Sequence, residues 1–244
     1  MKMHKIIFFD TETTGNTDKD FLCQIAYKEG GESFSQIYNT IIPIPPSASA
    51  IHHISNKMIE ERPFFRESEE YKKIKELFEN EKSVLIAHNA LFDLAMIKKE
   101  NIFPNNFICT LRVARHLDEE SKLEKYNLQY LRYALDIEID ATAHDALGDV
   151  LVLEKLFERL KKKVAEEDSL TDEEAIQKMI QISSHPSIFT KLNFGKHKGK
   201  MLKDVIKEDR GWLEWLLVEK EKSAKDSPFG DEDWIYTLKH YLNQ

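Results

Sequence analysis

Short hydrophobic runs alternate with amphipathic stretches along the first two-thirds of the chain. The runs are rich in β-branched and aromatic residues and end at turn-forming residues, which is typical of buried strands. We expect five strands, at residues 6–9, 21–27, 32–42, 83–89 and 107–110.

Elsewhere, hydrophobic residues recur at helical spacing. We expect helices from residue 68, at 90–99, 111–117 and 126–135, and a long helix that opens within 141–150 and has the apolar face Leu147, Val150, Leu151, Leu153, Leu156, Phe157 and Leu160. Strands that alternate with helices indicate an α/β sandwich, with the first three strands antiparallel and the later strands parallel to the first.

Three prolines, at 43, 45 and 46, interrupt the pattern. We expect them to stop regular structure, so that residues 49–55 form a loop before a helical turn at 56–61. Thr171 and Glu174 have the spacing of a capping box at the start of a further helix.

Residues 185–244 differ in composition, because all three tryptophans lie there. We therefore predict a large α/β domain at 1–165, a helical linker at 166–184 and a small α+β module at 185–244. In the module we expect the Trp and Leu residues to form the core. A glycine-bounded hairpin or loop would present Lys191, Lys196, Lys198, Lys200 and Lys203.

Composition is that of an ordinary globular protein, with 41% hydrophobic and 32% charged residues among 244. Asp10 ends the first apolar run too early for a signal peptide, and no run is long enough for a membrane span, so we expect a cytoplasmic protein. Cys23 and Cys109 lie far apart and are expected to be small buried residues. The net charge of -8 argues against non-specific wrapping of nucleic acid, although carboxylates collected for metals count as negative until metals bind.

Two carboxylates follow the first strand. Side chains two residues apart share a face of a strand, so Asp10 and Glu12 point the same way. Buried acids need cations, and hard oxygen ligands favour Mg²⁺ or Mn²⁺. The alternative is a helix cap or a solvated turn, which the following Thr13, Thr14 and Gly15 would also suit.

Two more acids and a histidine open later helices. Asp93 lies in the first turn after a buried strand, where open α/β sheets place ligands. Taken alone, it is better explained as an acid that offsets the helix dipole. His144 and Asp149 are about 140° apart on an ideal helix, so both reach one site only if His144 lies in the preceding loop. The alternative for His144 is an exposed cap.

Together, D-x-E at a strand end, N-x-x-F-D at 89–93 and H-x-A-x-x-D at 144–149 resemble the DEDDh family of 3′-to-5′ exonucleases. That family includes exonuclease X and the proofreading (epsilon) subunits of DNA polymerase III. The resemblance covers about residues 4–163 and extends to Ile51–Ser55, which looks like an H-G-I-T loop, and to Cys109–Arg115, which looks like D-T-L-x-x-A-R. The departures are His53, where glycine is usual, and Cys109, where aspartate is common.

The resemblance implies a ribonuclease-H-like mixed sheet flanked by helices, and two Mg²⁺ or Mn²⁺ ions. It implies that Asp10, Glu12, Asp93 and Asp149 are metal ligands and that His144 is the general base. It also suggests that the terminal nucleotide is seated by Thr11, Thr14, Ile51, His52 and Phe92. For Ile51 and Phe92 the competing interpretation is simple core.

Phe194–Lys200 and Trp212–Leu216 are similar to a small module appended to some exonuclease-X-like proteins. We hypothesise that its basic loop contacts the phosphate backbone through Lys196, Lys198 and Lys200. The alternative is a solvated turn on a module that merely docks.

The sequence thus predicts a metal-dependent 3′-to-5′ exonuclease that releases nucleoside 5′-monophosphates from single strands or frayed 3′ ends, with DNA as the expected substrate. Alternatives are a proofreading subunit bound to a DNA polymerase, and a ribonuclease, since contacts to the 2′-hydroxyl cannot be inferred from sequence. A hypothesis of another class is a catalytically silent nucleic-acid-binding protein. Its signature would be the loss of a carboxylate or of His144, and all five positions are occupied.

Overall fold

The computed structural model describes residues 4–118, 120–139, 146–226 and 231–243. Their strands form one mixed sheet of order β3-β2-β1-β4-β5. β1 pairs antiparallel with β2, β2 with β3, and β4 and β5 run parallel to β1, which confirms the expected topology. The strands are β1 Lys5–Thr13, β2 Leu22–Glu29, β3 Glu32–Ile37, β4 Ser83–Ala87 and β5 Asn106–Cys109.

The helices of the α/β domain, apart from α1, confirm the predicted ones to within a few residues. They are α1 Pro46–His52, α2 Asn56–Ile59, α3 Tyr71–Phe78, α4 Ala90–Lys99, α5 Thr110–Leu117, α6 Leu128–Ala134, α7 Ala146–Asp168 and α8 Asp172–Ser183. The capping box of Thr171 and Glu174 is present at the start of α8. No helix in the described ranges is long and apolar enough to cross a membrane.

Two local expectations are wrong. β3 ends at Ile37 instead of Ile42, because the Asn39 side chain accepts a hydrogen bond from the Thr40 N–H and turns the chain away from the sheet. Residues 46–52 form helix α1 instead of a loop, because Pro46 occupies the first turn, where a missing N–H costs nothing. His53 ends α1 with a left-handed φ of 63°, the conformation that explains why glycine is usual there.

β1 divides the core into two faces because its side chains alternate. Phe8 packs edge-on against Phe157 of α7, and Phe9 packs against Phe78 of α3 on the opposite face. The α7 face also holds α5 and α8, and the other face holds α3 and α4. Cys23 and Cys109 are buried, as predicted.

Helix α8 packs into the core of the α/β domain. Ala175, Ile176 and Met179 belong to the same hydrophobic cluster as α7. Helix α7 itself continues to Asp168, so the predicted boundary at residue 165 falls inside a helix. The segment predicted as a linker therefore extends the α/β domain, and the domain bounds stay a prediction.

The carboxyl-terminal module contains helices α9 Leu202–Glu208, α10 Arg210–Asp226 and α11 Glu232–Leu242. Its core is Leu192, Leu202, Val205, Leu213, Leu216, Trp234 and Leu238. Trp215 is 54% exposed, so the expectation that it is a core residue is wrong, since it lies on the solvent side of α10. In the described part of the module, β structure consists of one antiparallel bridge between Lys191 and Met201, which closes the basic loop.

An ion-pair network joins the module to the α/β domain. Arg112 of α5 donates to Glu232 at 2.5 Å and to Asp233 at 2.9 Å, and Arg115 donates to Asp233 at 2.5 Å. Asp233 also accepts a hydrogen bond from the Ser187 N–H at 3.0 Å. Arg112 and Asp233 are buried, so this junction fixes α11 against α5.

Candidate active site

Three of the predicted carboxylates meet at the end of β1. Asp10 and Glu12 share the strand face of Phe8, which looks onto α7, and Asp149 lies in the first turn of α7. One ligand oxygen from each lies within 4.8 Å of the others. We call Asp10, Glu12 and Asp149 the carboxylate cluster.

Asp149 is oriented from a second helix. The side-chain amide of Gln129, on α6, donates to Asp149 Oδ1 at 2.6 Å. Sequence reasoning missed Gln129, because it belongs to none of the motifs and its approach to Asp149 depends on how α6 packs on α7. Gln129 is a positioning residue for the cluster.

Asp93 approaches β1 from the opposite face, on α4. Its Oδ1 accepts hydrogen bonds from Thr11 N at 3.0 Å and Thr11 Oγ1 at 2.7 Å. Desolvation by burial raises the pKa of Asp93 to about 7, although the bonds from Thr11 act in the lowering direction. Because Thr11 lies between Asp10 and Glu12, it ties the fourth carboxylate to the strand that carries two of the others.

The predicted substrate residues lie in different surroundings. Thr11 and Thr14 are buried; Thr14 donates to Asp20 at 2.8 Å and accepts from the Phe21 N–H, which fixes the turn after β1. Ile51 is 56% exposed, so its interpretation as simple core is wrong. Phe92 is half-buried beside Asp93.

His52 is buried next to exposed Ile51. Its Nδ1 accepts a hydrogen bond from the Ile54 N–H at 3.1 Å, so the ring holds the turn that follows α1. Desolvation lowers the pKa of His52, which favours a neutral ring. The predicted general base, His144, lies outside the described residues.

The three lysines predicted to contact nucleic acid are exposed in the basic loop. Lys196 pairs with Asp209 at 2.5 Å, and Lys200 pairs with Glu208. These pairs neutralise two of the loop's charges, and Lys198 lies between them in the chain.

The chemistry of the carboxylate cluster fits a divalent cation. All three side chains offer hard oxygen ligands, and the spread of 4.8 Å lets one ion reach several of them. A cation there would also offset the mutual repulsion of the acids. The arrangement therefore favours a metal-assisted reaction over a purely structural acidic turn.

Two family models match the chain. The model described as exonuclease matches residues 7–157, and the model described as exodeoxyribonuclease X-like C-terminal matches residues 192–221. The first contains all of the residues discussed at the carboxylate cluster, and the second begins at the basic loop.

Curated relatives and solved structures agree with these matches. Exodeoxyribonuclease 10 of Escherichia coli (strain K12) is 28% identical over 202 residues, covering 82% of this chain and 80% of that protein. A DNA polymerase III subunit epsilon-like protein of Rhodobacter capsulatus is 32% identical over 170 residues, covering 63% of this chain but 23% of that protein. Exonuclease X in complex with 5′ overhanging duplex DNA superposes with a TM-score of 0.54 at 23% identity, over 73% of this chain and 99% of that one. Exonuclease I of E. coli, in complex with a dT13 oligonucleotide, superposes with a TM-score of 0.58 at 21% identity. The match covers 68% of this chain and 43% of that one.

Proposed function

The chain belongs to the exonuclease family of nucleases, and from that premise we propose that it removes nucleotides one at a time from the 3′ ends of single-stranded or frayed DNA, using two Mg²⁺ or Mn²⁺ ions. The observation that carries this proposal is the convergence of Asp10, Glu12 and Asp149 at the end of β1, with Asp93 held to the same strand by Thr11.

The four carboxylates would hold the metal ions. When bound, such ions lower the pKa of the attacking water and stabilise the leaving 3′-oxygen. Gln129 orients Asp149, and Thr11 orients Asp93, so the ligand oxygens are set before substrate arrives. His144 takes the proton of the water, a role suited to a pKa near neutrality.

The terminal nucleotide would lie between exposed Ile51 and half-buried Phe92. An aromatic face contributes about 1 to 3 kcal/mol per stacked base, and an exposed aliphatic side chain can wedge against the neighbouring base. Thr11, Thr14 and His52 shape this site from below, through the hydrogen bonds that fix β1 and the turn after α1.

The name of one relative, exodeoxyribonuclease 10, favours DNA over RNA as the substrate. The similarity to that relative covers 82% of this chain and 80% of the relative. A proofreading subunit is the second candidate, favoured by the 32% identity to the epsilon-like protein. Against it, residues 192–221 match the exodeoxyribonuclease X-like C-terminal model, which favours an enzyme of the exodeoxyribonuclease X kind over a polymerase subunit.

The test is digestion of a 5′-labelled single-stranded DNA, and of the RNA of the same sequence, with Mg²⁺ or Mn²⁺. We expect a ladder that shortens from the 3′ end of DNA and loss of the ladder with EDTA. A phosphorothioate at the 3′-terminal linkage should block digestion, whereas the same modification at the 5′ end should not.

Asp10→Asn and Asp149→Asn test the cluster, with Glu76→Gln as a matched control. Glu76 is an exposed acid on α3, so its neutralisation changes net charge without touching the sheet edge. Digestion of DNA by both cluster variants would refute the proposed mechanism. Cleavage of RNA but not of DNA by the wild type would refute the proposed substrate.

A further inference from the structure

A groove separates the α/β domain from the carboxyl-terminal module, and we propose that it binds the single-stranded DNA on the 5′ side of the scissile bond. The proposal rests on the proposed function, because it names how the same site holds a longer strand. We call it the inter-module groove and define it by Asn89, Arg115, Lys125, Tyr126, Asn193 and Lys198.

Two adjoining cavities, of about 420 and 500 Å³, form the groove. Both are lined by Arg115, Lys125, Tyr126 and Asn193, so each opens onto the other. Their volumes lie in the range of ligand sites, which is about 300 to 1,000 Å³. The groove is therefore large enough to hold nucleotides.

One end of the groove lies at the end of β4, next to the strand that carries Asp10 and Glu12. β4 runs parallel to β1 and is its neighbour in the sheet, with Phe8 opposite Ile86, and His88 follows directly after β4 ends at Ala87. Adjacent strands are about 5 Å apart. Because His88 and Asn89 line the groove, its floor begins at the end of β4, the strand that neighbours β1.

His88 joins the floor to the opposite wall. Its Nε2 lies 2.6 Å from the Tyr126 carbonyl oxygen and its Nδ1 lies 2.9 Å from Thr110 Oγ1. A carbonyl can only accept, so Nε2 carries the hydrogen and Nδ1 accepts from Thr110. The wall that contains Tyr126 leads directly into α6, whose Gln129 holds Asp149. A strand that leaves the cluster therefore passes between α4 and this wall.

The lysines that line the groove differ from the other lysines of the basic loop. Lys125, Lys191 and Lys198 are exposed and line the second cavity. None of the three forms a salt bridge with any residue in the described ranges, in contrast to Lys196 and Lys200. Unpaired positive charge thus faces the groove from both sides, from Lys125 of the α/β domain and from Lys191 and Lys198 of the module.

The acids that line the groove are largely committed to the fold. Asp118 accepts hydrogen bonds from the backbone N–H groups of Lys122 and Leu123 and from the Tyr126 hydroxyl. Glu232 and Asp233 are paired with the arginines of the junction. Three lysines then face two acids, Asp118 and Glu124, that form no salt bridge within the described ranges, so the groove keeps an excess of positive charge that attracts the phosphates of a nucleic-acid strand.

The experiment compares a thymidine dinucleotide, which reaches little beyond the cluster, with an oligothymidylate of about 16 nucleotides. The full-length wild type is set beside Lys125→Gln, Lys191→Gln and Lys198→Gln. Lys207→Gln is the matched control, because Lys207 is an exposed lysine of the same module that does not line the groove. Binding of the long strand is measured by fluorescence anisotropy over a range of salt concentrations, with EDTA present to stop cleavage.

We expect each groove variant to lower the ratio of kcat/KM on the long strand to kcat/KM on the dinucleotide by about threefold or more, since a phosphate contact is lost. The slope of log Kd against log salt concentration should fall by about 0.7 for each lysine removed. Lys207→Gln should change neither quantity.

If the kcat/KM ratio and the salt slope are the same in the groove variants, the control and the wild type, the groove proposal is overturned. The proposed exonuclease activity would not be affected by that result. Loss of all cleavage by the wild type would instead refute the proposed function. The anisotropy measurement would still decide whether the groove binds DNA, because it does not depend on turnover.

Discussion

Asp93 and Asp233 are both buried aspartates, 3% and 8% exposed, yet they are held in opposite ways. Asp233 accepts from the guanidinium groups of Arg112 and Arg115. The hydrogen bonds that Asp93 accepts from Thr11 come from an N–H and a hydroxyl, and burial raises its pKa to about 7. A buried acid that the chain's own cations neutralise holds the fold together, whereas one held by neutral donors keeps its affinity for an external cation.

Asp93→Asn is the substitution with the largest expected effect on the contrast between Asp93 and Asp233. We expect Asp93→Asn to lower kcat on single-stranded DNA by about a thousandfold or more, equivalent to about 4 kcal/mol in the barrier. The same variant should stabilise the metal-free protein at pH 8, because the folded state no longer buries a charge. Steady-state kinetics and urea unfolding measure the two effects.

The gain in stability should depend on pH. The folded-state pKa of Asp93 is raised above its ordinary value of 3.8, so ionisation destabilises the folded state. That cost is absent below about pH 4, grows as the pH rises and is complete above about pH 7. Equal unfolding free energies of variant and wild type at pH 8 would show that burial of the ionised Asp93 carboxylate does not destabilise the folded state.

Asp233→Ala tests the other member of the pair. It leaves Arg112 and Arg115 without their shared carboxylate, and loss of one partner of a buried ion pair costs about 3 to 5 kcal/mol. We expect the free energy of unfolding in urea to fall by that amount. Asp204→Ala, which removes an exposed acid of α9, is the control and should change it little. A similar small change in both variants would contradict the structural role of the junction.

The sequence was sufficient for the sheet, which follows from strand alternation, whereas the carboxylate cluster was predicted only with the help of the family resemblance. A period of two puts Phe8, Asp10 and Glu12 on one face. Asp149 was assigned to the same site by its motif, and in the structure α7 packs on Phe8 and carries Asp149 to that place. The directions of the strands followed from the alternation of strands and helices.

The junction and the groove could not be predicted in this way. Arg112 and Asp233 are 121 residues apart, and no local pattern relates them. The same holds for Gln129 and Asp149, whose contact depends on how two helices pack. Helix α1 was missed for a different reason, since Pro46 can either end a segment or start a helix, and only the packing around it decides.

His88 contacts Thr110 and the Tyr126 carbonyl, and it makes the stability of the fold depend on pH. Burial lowers the pKa of His88 to about 4, so its neutral form is favoured in the folded state. The resulting stability is fully present above the ordinary pKa of 6.5 and is lost as the pH falls towards 4, by up to about 3 kcal/mol. We expect His88→Gln to reduce this loss in urea unfolding between pH 7 and pH 4. Parallel pH curves for variant and wild type would assign the acid sensitivity to other groups.

Gln129 tests how closely the carboxylate cluster is preset, with the smallest expected effect. Gln129→Leu keeps the size of the side chain but removes the donor to Asp149 Oδ1. Loss of a hydrogen bond that orients a metal ligand typically lowers metal affinity by about 10- to 100-fold. We expect titration calorimetry with Mn²⁺ to show weaker binding, that is a higher Kd, with a matching rise in the Mn²⁺ concentration needed for half-maximal cleavage.

At saturating Mn²⁺ much of the kcat of Gln129→Leu should return, because the cation itself then draws Asp149 into place. Gln181→Leu, an exposed position on α8, is the control for added hydrophobicity. Unchanged Mn²⁺ affinity in Gln129→Leu would mean that the first turn of α7 alone fixes Asp149.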